Sequence, residues 1–186
     1  IQNIKKIGKI CKKNDILFHI DAAQTLGKKK IDVSEMNIDL LSMSGHKLYA
    51  PKGVGALFID KMNNKIKLNP LIHGGGQESG FRSGTLSVHN IVGFGEACNI
   101  ALENIITDQD KILKLRDKLY AGLKKIFPDI AINGSINQRL EGNLNIRIPN
   151  YNAQEIISEM TNVAFSTGSA CMSENPKPSH VLTAIG

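Results

Sequence analysis

Two stretches decide the fold: Asp15-Ile-Leu-Phe-His-Ile-Asp-Ala-Ala-Gln24 and Asp39-Leu-Leu-Ser-Met-Ser-Gly-His-Lys47. Each is a short apolar run that ends in a polar cluster. The runs Asp15–Ile20 and Asp39–Met43 suit buried parallel strands, and Gly55-Ala-Leu-Phe-Ile59 is a third of the same kind. In open α/β sheets the ligand crevice lies outside the carboxyl ends of the strands. The clusters Asp21–Gln24 and Ser44–Lys47 therefore stand where chemistry is expected.

Before the first strand, Ile4, Ile7, Ile10 and Cys11 recur on one side of a helix. After the third comes a glycine-dense loop, Gly74–Thr85. A helical period then runs through Ile91, Val92, Ala97, Ile100, Ala101 and Ile105, and again through Ile112, Leu115, Leu119, Leu123 and Ile126, until Pro128 ends it. Leu144, Ile146 and Ile148 have strand period, Ala153–Met160 is helical, and Val163–Phe165 is a further strand. A change of domain falls near residues 104–110, giving an α/β unit over 1–106 and a smaller α+β unit over 107–186.

The 186 residues are 41% hydrophobic and 22% charged, the composition of a globular chain able to bury a core. No apolar run approaches the roughly 18 residues of a membrane span. The net charge of +6 sits partly in Lys12-Lys13 and Lys28-Lys29-Lys30. Without tryptophan or dense basic–aromatic interleaving, these lysines read as a solvated face and not as a nucleic-acid site. Cys11, Cys98 and Cys171 form no CxxC pair, which argues against a disulfide framework or zinc knuckle and for a reducing compartment. Cys11 and Cys98 belong to apolar helix faces. Cys171, in Ser166-Thr-Gly-Ser-Ala-Cys-Met-Ser-Glu-Asn-Pro176, lies in a Gly/Ser/Asn/Pro loop where a thiol is available as a nucleophile.

Lys47 follows a strand end, where a lysine can be buried, lose its proton more easily and attack a carbonyl to form an imine. Asp21, at the end of the neighbouring strand, is the carboxylate that a pyridoxal phosphate ring nitrogen requires. Gln24 suits the ring hydroxyl, and Ser44 and His46 suit the phosphate. Each has a plainer alternative: Asp21 as a helix N-cap, His46 as a satisfied buried histidine, Lys47 as a surface residue. The loop at 74–85 offers backbone amides with Arg82, Ser83 and Thr85 for an anion, or is a flexible connector.

His19-Ile-Asp-Ala-Ala-Gln24, Ser42-Met-Ser-Gly-His-Lys47 with Pro51-Lys-Gly53, Gly74-Gly-Gly-Gln-Glu78 with Arg82-Ser-Gly-Thr85, and Ser166-Thr-Gly-Ser-Ala-Cys171 together resemble the cysteine desulfurases of the NifS/IscS type. These are pyridoxal-phosphate enzymes of the class V aminotransferase family. The resemblance implies an aspartate-aminotransferase-like α/β fold, represented here by the C-terminal half of the large domain and part of the small one. It also implies that Lys47 holds the cofactor and transfers protons, Asp21 pairs with the pyridinium nitrogen and Gln24 bonds the ring oxygen. Ser44 and His46 would hold the phosphate, and Thr85 would reach the phosphate of the other subunit of a homodimer. Cys171 would take the sulfur of L-cysteine as a persulfide, release L-alanine, and pass the sulfur to an iron–sulfur scaffold or a tRNA-thiolation protein. The only metal contact implied is an iron–sulfur one through that persulfide.

The resemblance further implies a cytoplasmic enzyme, or an organellar one in a eukaryote. The family's small-residue phosphate loop, ring-stacking histidine and asparagine would precede Ile1, and its carboxylate-binding arginine would follow Gly186. The expectation is therefore a fragment that alone binds cofactor poorly and turns over little. Ala50, in place of a glycine common in the family, is a minor departure. The competing expectations are a non-catalytic relic or partner subunit, a selenocysteine lyase, and an aminotransferase, against which the loop thiol argues.

Overall fold

The structure, a computed structural model, describes residues 2–166 and 179–184. Two compact units are present, Ile1–Asp110 and Lys111–Gly186.

In the first unit, α1 (Ile4–Lys13) starts at Asn3, whose side chain accepts a hydrogen bond from the Lys6 amide at 3.0 Å. Ile4, Ile7 and Cys11 are half-buried on the expected face together with buried Gly8, whereas Ile10, expected with them, is 51% exposed. A Cβ at Gly8 would lie 1.9 Å from the Met36 carbonyl oxygen, so only glycine permits this approach.

The strand expected at Asp15–Ile20 forms later and shorter, as β1 (His19–Asp21). Asp15 takes the left-handed conformation (φ 59°) just past α1, and Ile16 and Leu17 are exposed. β2 (Leu40–Ser44) pairs parallel with β1, Asp21 opposite Ser42. β3 (Gly55–Ile59) has the expected bounds but pairs antiparallel with β2, not parallel. Only ten residues join β2 to β3, too few for a helical crossover, so the chain must return antiparallel.

Residues of β1 and β2 alternate between faces. Ile20, Leu41 and Met43 join Ala22, Ile38 and Phe58 in an apolar cluster. The opposite face carries His19, Asp21, Ser42 and Ser44, with His19 Nε2 2.8 Å from Ser42 Oγ. Asp39 ties the entry to this pair: one carboxylate oxygen accepts from the Phe18 amide at 2.7 Å, the other from Asn63 Nδ2 at 2.7 Å.

The two helical periods read from the sequence are one continuous helix, α2 (Val88–Ile126), of 39 residues. Its first half presents Phe94, Ala97, Cys98 and Ala101 to Leu48 and Ala50, forming a second apolar cluster directly behind the β2–β3 connection.

In the second unit, α2 ends two residues before Pro128, and β4 (Ala131–Ile132) pairs antiparallel with β5 (Ile146–Arg147). Arg139 holds the loop between them. Its guanidinium donates to the Ser135 carbonyl (2.7 Å), the Asn133 carbonyl (2.6 Å) and Asn143 Oδ1 (3.3 Å). Burial, and then the neighbouring Arg116, push its pKa down. Asn152 caps α3 (Ala153–Glu159), and α4 is the short helix His180–Ala184. Val163–Phe165, expected as a strand, is irregular and has no strand partner among the described residues. Among the described residues no helix is long and apolar enough to cross a membrane.

Candidate active site

The site is built where β1 and β2 end side by side. Past β1, Ala22 is almost fully buried and its amide donates to the Ser42 carbonyl at 2.9 Å, extending the pairing by one residue. Asp21 precedes this anchor. Its Oδ1 accepts from the Ala23 amide at 2.9 Å, a local turn contact that fixes the carboxylate at the strand end. No helix follows, so Asp21 is not the helix N-cap that was one alternative: residues 23–28 form successive turns. Gln24 stands exposed on the first of these.

Past β2, a 3-10 turn (Gly45–Leu48) carries His46 and Lys47. Gly45 is buried, and a Cβ there would lie 2.9 Å from both the Val54 carbonyl oxygen and Val54 Cγ1. Leu48 is buried in the second cluster, and Tyr49 closes the turn in the left-handed conformation, φ 64°. Such a residue costs about 1 kcal/mol relative to its ordinary conformation and persists only where its neighbours hold it. Leu48 and Ala50 are the pins: both are buried, on either side of Tyr49, which is 96% exposed.

Buried residues alternating with exposed ones thus aim His46 and Lys47 outward on a rigid turn. Ser44 Oγ lies 3.0 Å from His46 Nδ1, so the hydroxyl and imidazole form one polar unit. His46 is exposed, which removes the buried-histidine alternative. Lys47 is also exposed, contrary to the expectation of a buried amine. Lys28, like Lys29 after it, is half-buried, although the sequence left it as part of a basic run. Its pKa is lowered, first by burial and then by the neighbouring Lys47.

The loop at 74–85 is a closed structure and not a slack connector. Ser83 Oγ donates to the Gly75 carbonyl (2.6 Å), the Ser83 amide to the Ile72 carbonyl (3.2 Å), and the Gly84 amide to Gln77 Oε1 (3.1 Å). Ser83 is consumed by this closure, whereas Arg82 and Thr85 are exposed on it. The structure therefore brings Asp21, Ser44, His46 and Lys47 to adjacent strand ends and carries Thr85 on a separate loop. Cys171 lies outside the described residues. Cys98 packs in the second cluster, where burial pushes its thiol pKa up, as expected of a core cysteine.

His19 and Ser42 were missed by the sequence reading, although they line the same polar face as Asp21 and Ser44. The signal was a period of two: His19 with Asp21, and Ser42 with Ser44.

The donor set fits pyridoxal phosphate. It combines one carboxylate, one exposed amine and a hydroxyl–imidazole pair at adjacent strand ends, the groups that a pyridinium nitrogen, an aldehyde and a phosphate each need. Among the described residues no group of His, Cys, Asp and Glu is arranged to hold a metal ion.

Comparison with known proteins gives the same fold and motifs. The family model described as aminotransferase class-V matches residues 1–186. The chain is 51% identical over 185 residues to the cysteine desulfurase IscS of Ehrlichia chaffeensis, covering 100% of this chain and 45% of that protein. It is 49% identical over 186 residues to the IscS of Histophilus somni, covering 46% of it. The chain thus spans a little under half the length of these curated relatives.

Among solved structures, the NifS-like protein from Rickettsia africae superposes with a TM-score of 0.86 at 37% identity, over 100% of this chain and 48% of that one. SspA, solved in complex with cysteine, superposes at 0.74 with 38% identity, over 100% of this chain and 50% of its own. A family match over every residue, joined to the strand-end site, places this chain in the class V aminotransferase family, whose cysteine desulfurases depend on pyridoxal phosphate.

Proposed function

We propose that this chain carries the lysine half of a cysteine desulfurase site, which removes sulfur from L-cysteine and leaves L-alanine. The observation that supports this most directly is the placement of Asp21 and the Ser44–His46–Lys47 turn at the ends of two paired parallel strands. The desulfurase name of the relatives, and the cysteine bound in SspA, favour cysteine as substrate.

When bound, pyridoxal phosphate supplies an electron sink that weakens the substrate's carbon–sulfur bond. The protein's residues do the rest. Asp21 would accept a hydrogen bond from the protonated ring nitrogen and keep that proton in place, and Gln24 would donate to the ring oxygen. Ser44 and His46 would donate to the phosphate, joined by Thr85 from a second copy in a homodimer. Lys47 Nζ would anchor the cofactor and move a proton to and from the substrate carbon. The Cys171 thiolate bonds to the substrate sulfur as the carbon–sulfur bond breaks. The product carbon takes a proton, so thiol plus cysteine gives persulfide plus alanine. The persulfide then goes to an iron–sulfur scaffold or another acceptor, in a reducing compartment such as the cytoplasm.

The test uses the complete gene product with pyridoxal 5′-phosphate, L-cysteine and a thiol reductant. Sulfide and alanine are expected in equal amounts. Lys47→Ala should stop both, while Cys171→Ser should stop sulfide release and still bind the cofactor. Sulfide release that survives Cys171→Ser removes that residue from its role, and turnover by Lys47→Ala overturns the assignment.

A further inference from the structure

His19 and Ser42 take part in no step assigned above, yet they stand on the polar face of the site. In the β1–β2 register Ser42 lies directly opposite Asp21, and strands so paired run about 4.8 Å apart. His19, two residues before Asp21 on the same face, reaches forward across the pair and brings Nε2 to 2.8 Å from Ser42 Oγ. The Ser42 hydroxyl thus has the His19 imidazole on one side and the Asp21 residue across from it.

On its other flank the hydroxyl meets no polar side chain. There Ser42 pairs with Leu57 of β3, and Ser44, two residues on, pairs with Gly55. Ser44 Oγ is already engaged with His46 Nδ1 at 3.0 Å. Nor does the sheet need the His19–Ser42 bond in order to pair. Backbone register joins β1 to β2, and Ile20 and Leu41 pack in the apolar cluster on the opposite face. What the bond adds is direction. With its proton on Nε2, His19 donates to Ser42 Oγ, and the serine's own proton is left to give. The side-chain acceptor in register with it is Asp21. Its Oδ1 takes the Ala23 amide, and its second oxygen accepts no other hydrogen bond among the described residues.

We propose that His19 is a positioning residue for Asp21, acting through Ser42: the imidazole N–H holds the serine oxygen, and the serine proton fixes the carboxylate toward the ring nitrogen of pyridoxal phosphate. Two oriented donors, the Ala23 amide and the Ser42 hydroxyl, then hold a side chain that one donor leaves free to swing. The inference deepens the desulfurase reading and rests on Asp21 facing that ring.

The experiment strips the complete gene product of cofactor, titrates it with pyridoxal 5′-phosphate and reads the dissociation constant from the absorbance of the bound cofactor. Ser42→Ala and His19→Phe should each weaken binding about fivefold, the worth of one net hydrogen bond. His19→Gln, which keeps an N–H donor near the place of Nε2, should recover most of that loss. In an Asp21→Ala background His19→Phe should change the constant by less than about 1.5-fold, because the carboxylate through which it acts is gone. Equal weakening by His19→Phe in both backgrounds, or His19→Gln no better than His19→Phe, marks a merely structural histidine and overturns the proposal. Ser42→Ala at wild-type affinity overturns it as well. Asp21→Ala that binds the cofactor as tightly as wild type removes Asp21 from the ring instead. That is a failure of the underlying reading, and it is visible without touching His19.

Discussion

Replacing Gly27 by Ala tests whether the turn that carries Lys28 is seated on Leu48. Two costs add. The left-handed φ of +69° disfavours any residue with a Cβ, by about 1–2 kcal/mol. The new methyl would also fall 2.1 Å from Leu48 Cδ1 and 3.0 Å from Ala101 Cβ, far inside contact distance. Leu48 is 7% exposed and packed among Ala50, Phe94 and Ala101, so it yields only by disturbing that cluster. Such overpacking costs about 1–3 kcal/mol, giving about 2–5 kcal/mol in all.

Leu48→Ala alone leaves a cavity and costs about 2–5 kcal/mol. Combined with Gly27→Ala, it removes the worse of the two clashes, while the backbone cost and the Ala101 contact remain. The double variant should therefore be about 1–2 kcal/mol more stable than the sum of the single changes predicts. Equilibrium urea unfolding with unchanged m-values measures this cycle. Strict additivity within about 0.5 kcal/mol would show that Gly27 and Leu48 do not touch, and the placement of Lys28 beside Lys47 would lose its footing.

Other expectations follow from single contacts. Arg139→Met should destabilise the β4–β5 unit by about 2–4 kcal/mol, because two backbone carbonyls lose charged donors; amide exchange at Asn133 and Ile146 should accelerate, and unchanged protection would refute the staple. Asp39→Ala should cost about 2–3 kcal/mol by orphaning the Phe18 amide and the Asn63 side chain, whereas Asp39→Asn, able to accept only one of the two bonds, should lie between Ala and wild type.

Lys28 also predicts a pH dependence. Its folded pKa is below the ordinary 10.5, so the unfolded chain binds more protons in the window between the two values. Its contribution to stability is present above 10.5 and is lost as pH falls through the lowered folded value. Lys28→Met should flatten that part of the stability–pH curve, and an unchanged slope would contradict the assigned shift.

Much of the site was legible because its chemistry depends on residue type and order. The clusters Asp21–Gln24 and Ser44–Lys47 follow apolar runs, and a strand that must be buried announces itself by that contrast alone. The bounds of β3 and the period of α2 were legible for the same reason. Errors arose where neighbours decide. Asp15–Leu17 has strand composition but leaves α1 through a left-handed residue, so pairing begins only at His19. The sign of the β2–β3 pairing depends on the length of its connection. Val163–Phe165 has β-branched and aromatic character but finds no partner strand among the described residues.

What the sequence determined by itself, then, is the inventory: which carboxylate, imidazole and amine stand at strand ends, and the family to which their spacing belongs. Side-chain identity and linear order suffice for that. Tertiary structure alone decided exposure and neighbourhood. It turned Lys47 outward, left Lys28 half-buried, closed Ser83 into its own loop, and set His19 and Ser42 on the polar face. The physical reason is that burial and charge proximity depend on distances between residues far apart in the chain, as with Gly27 on Leu48 and Gln109 on Lys28, and no local pattern encodes them.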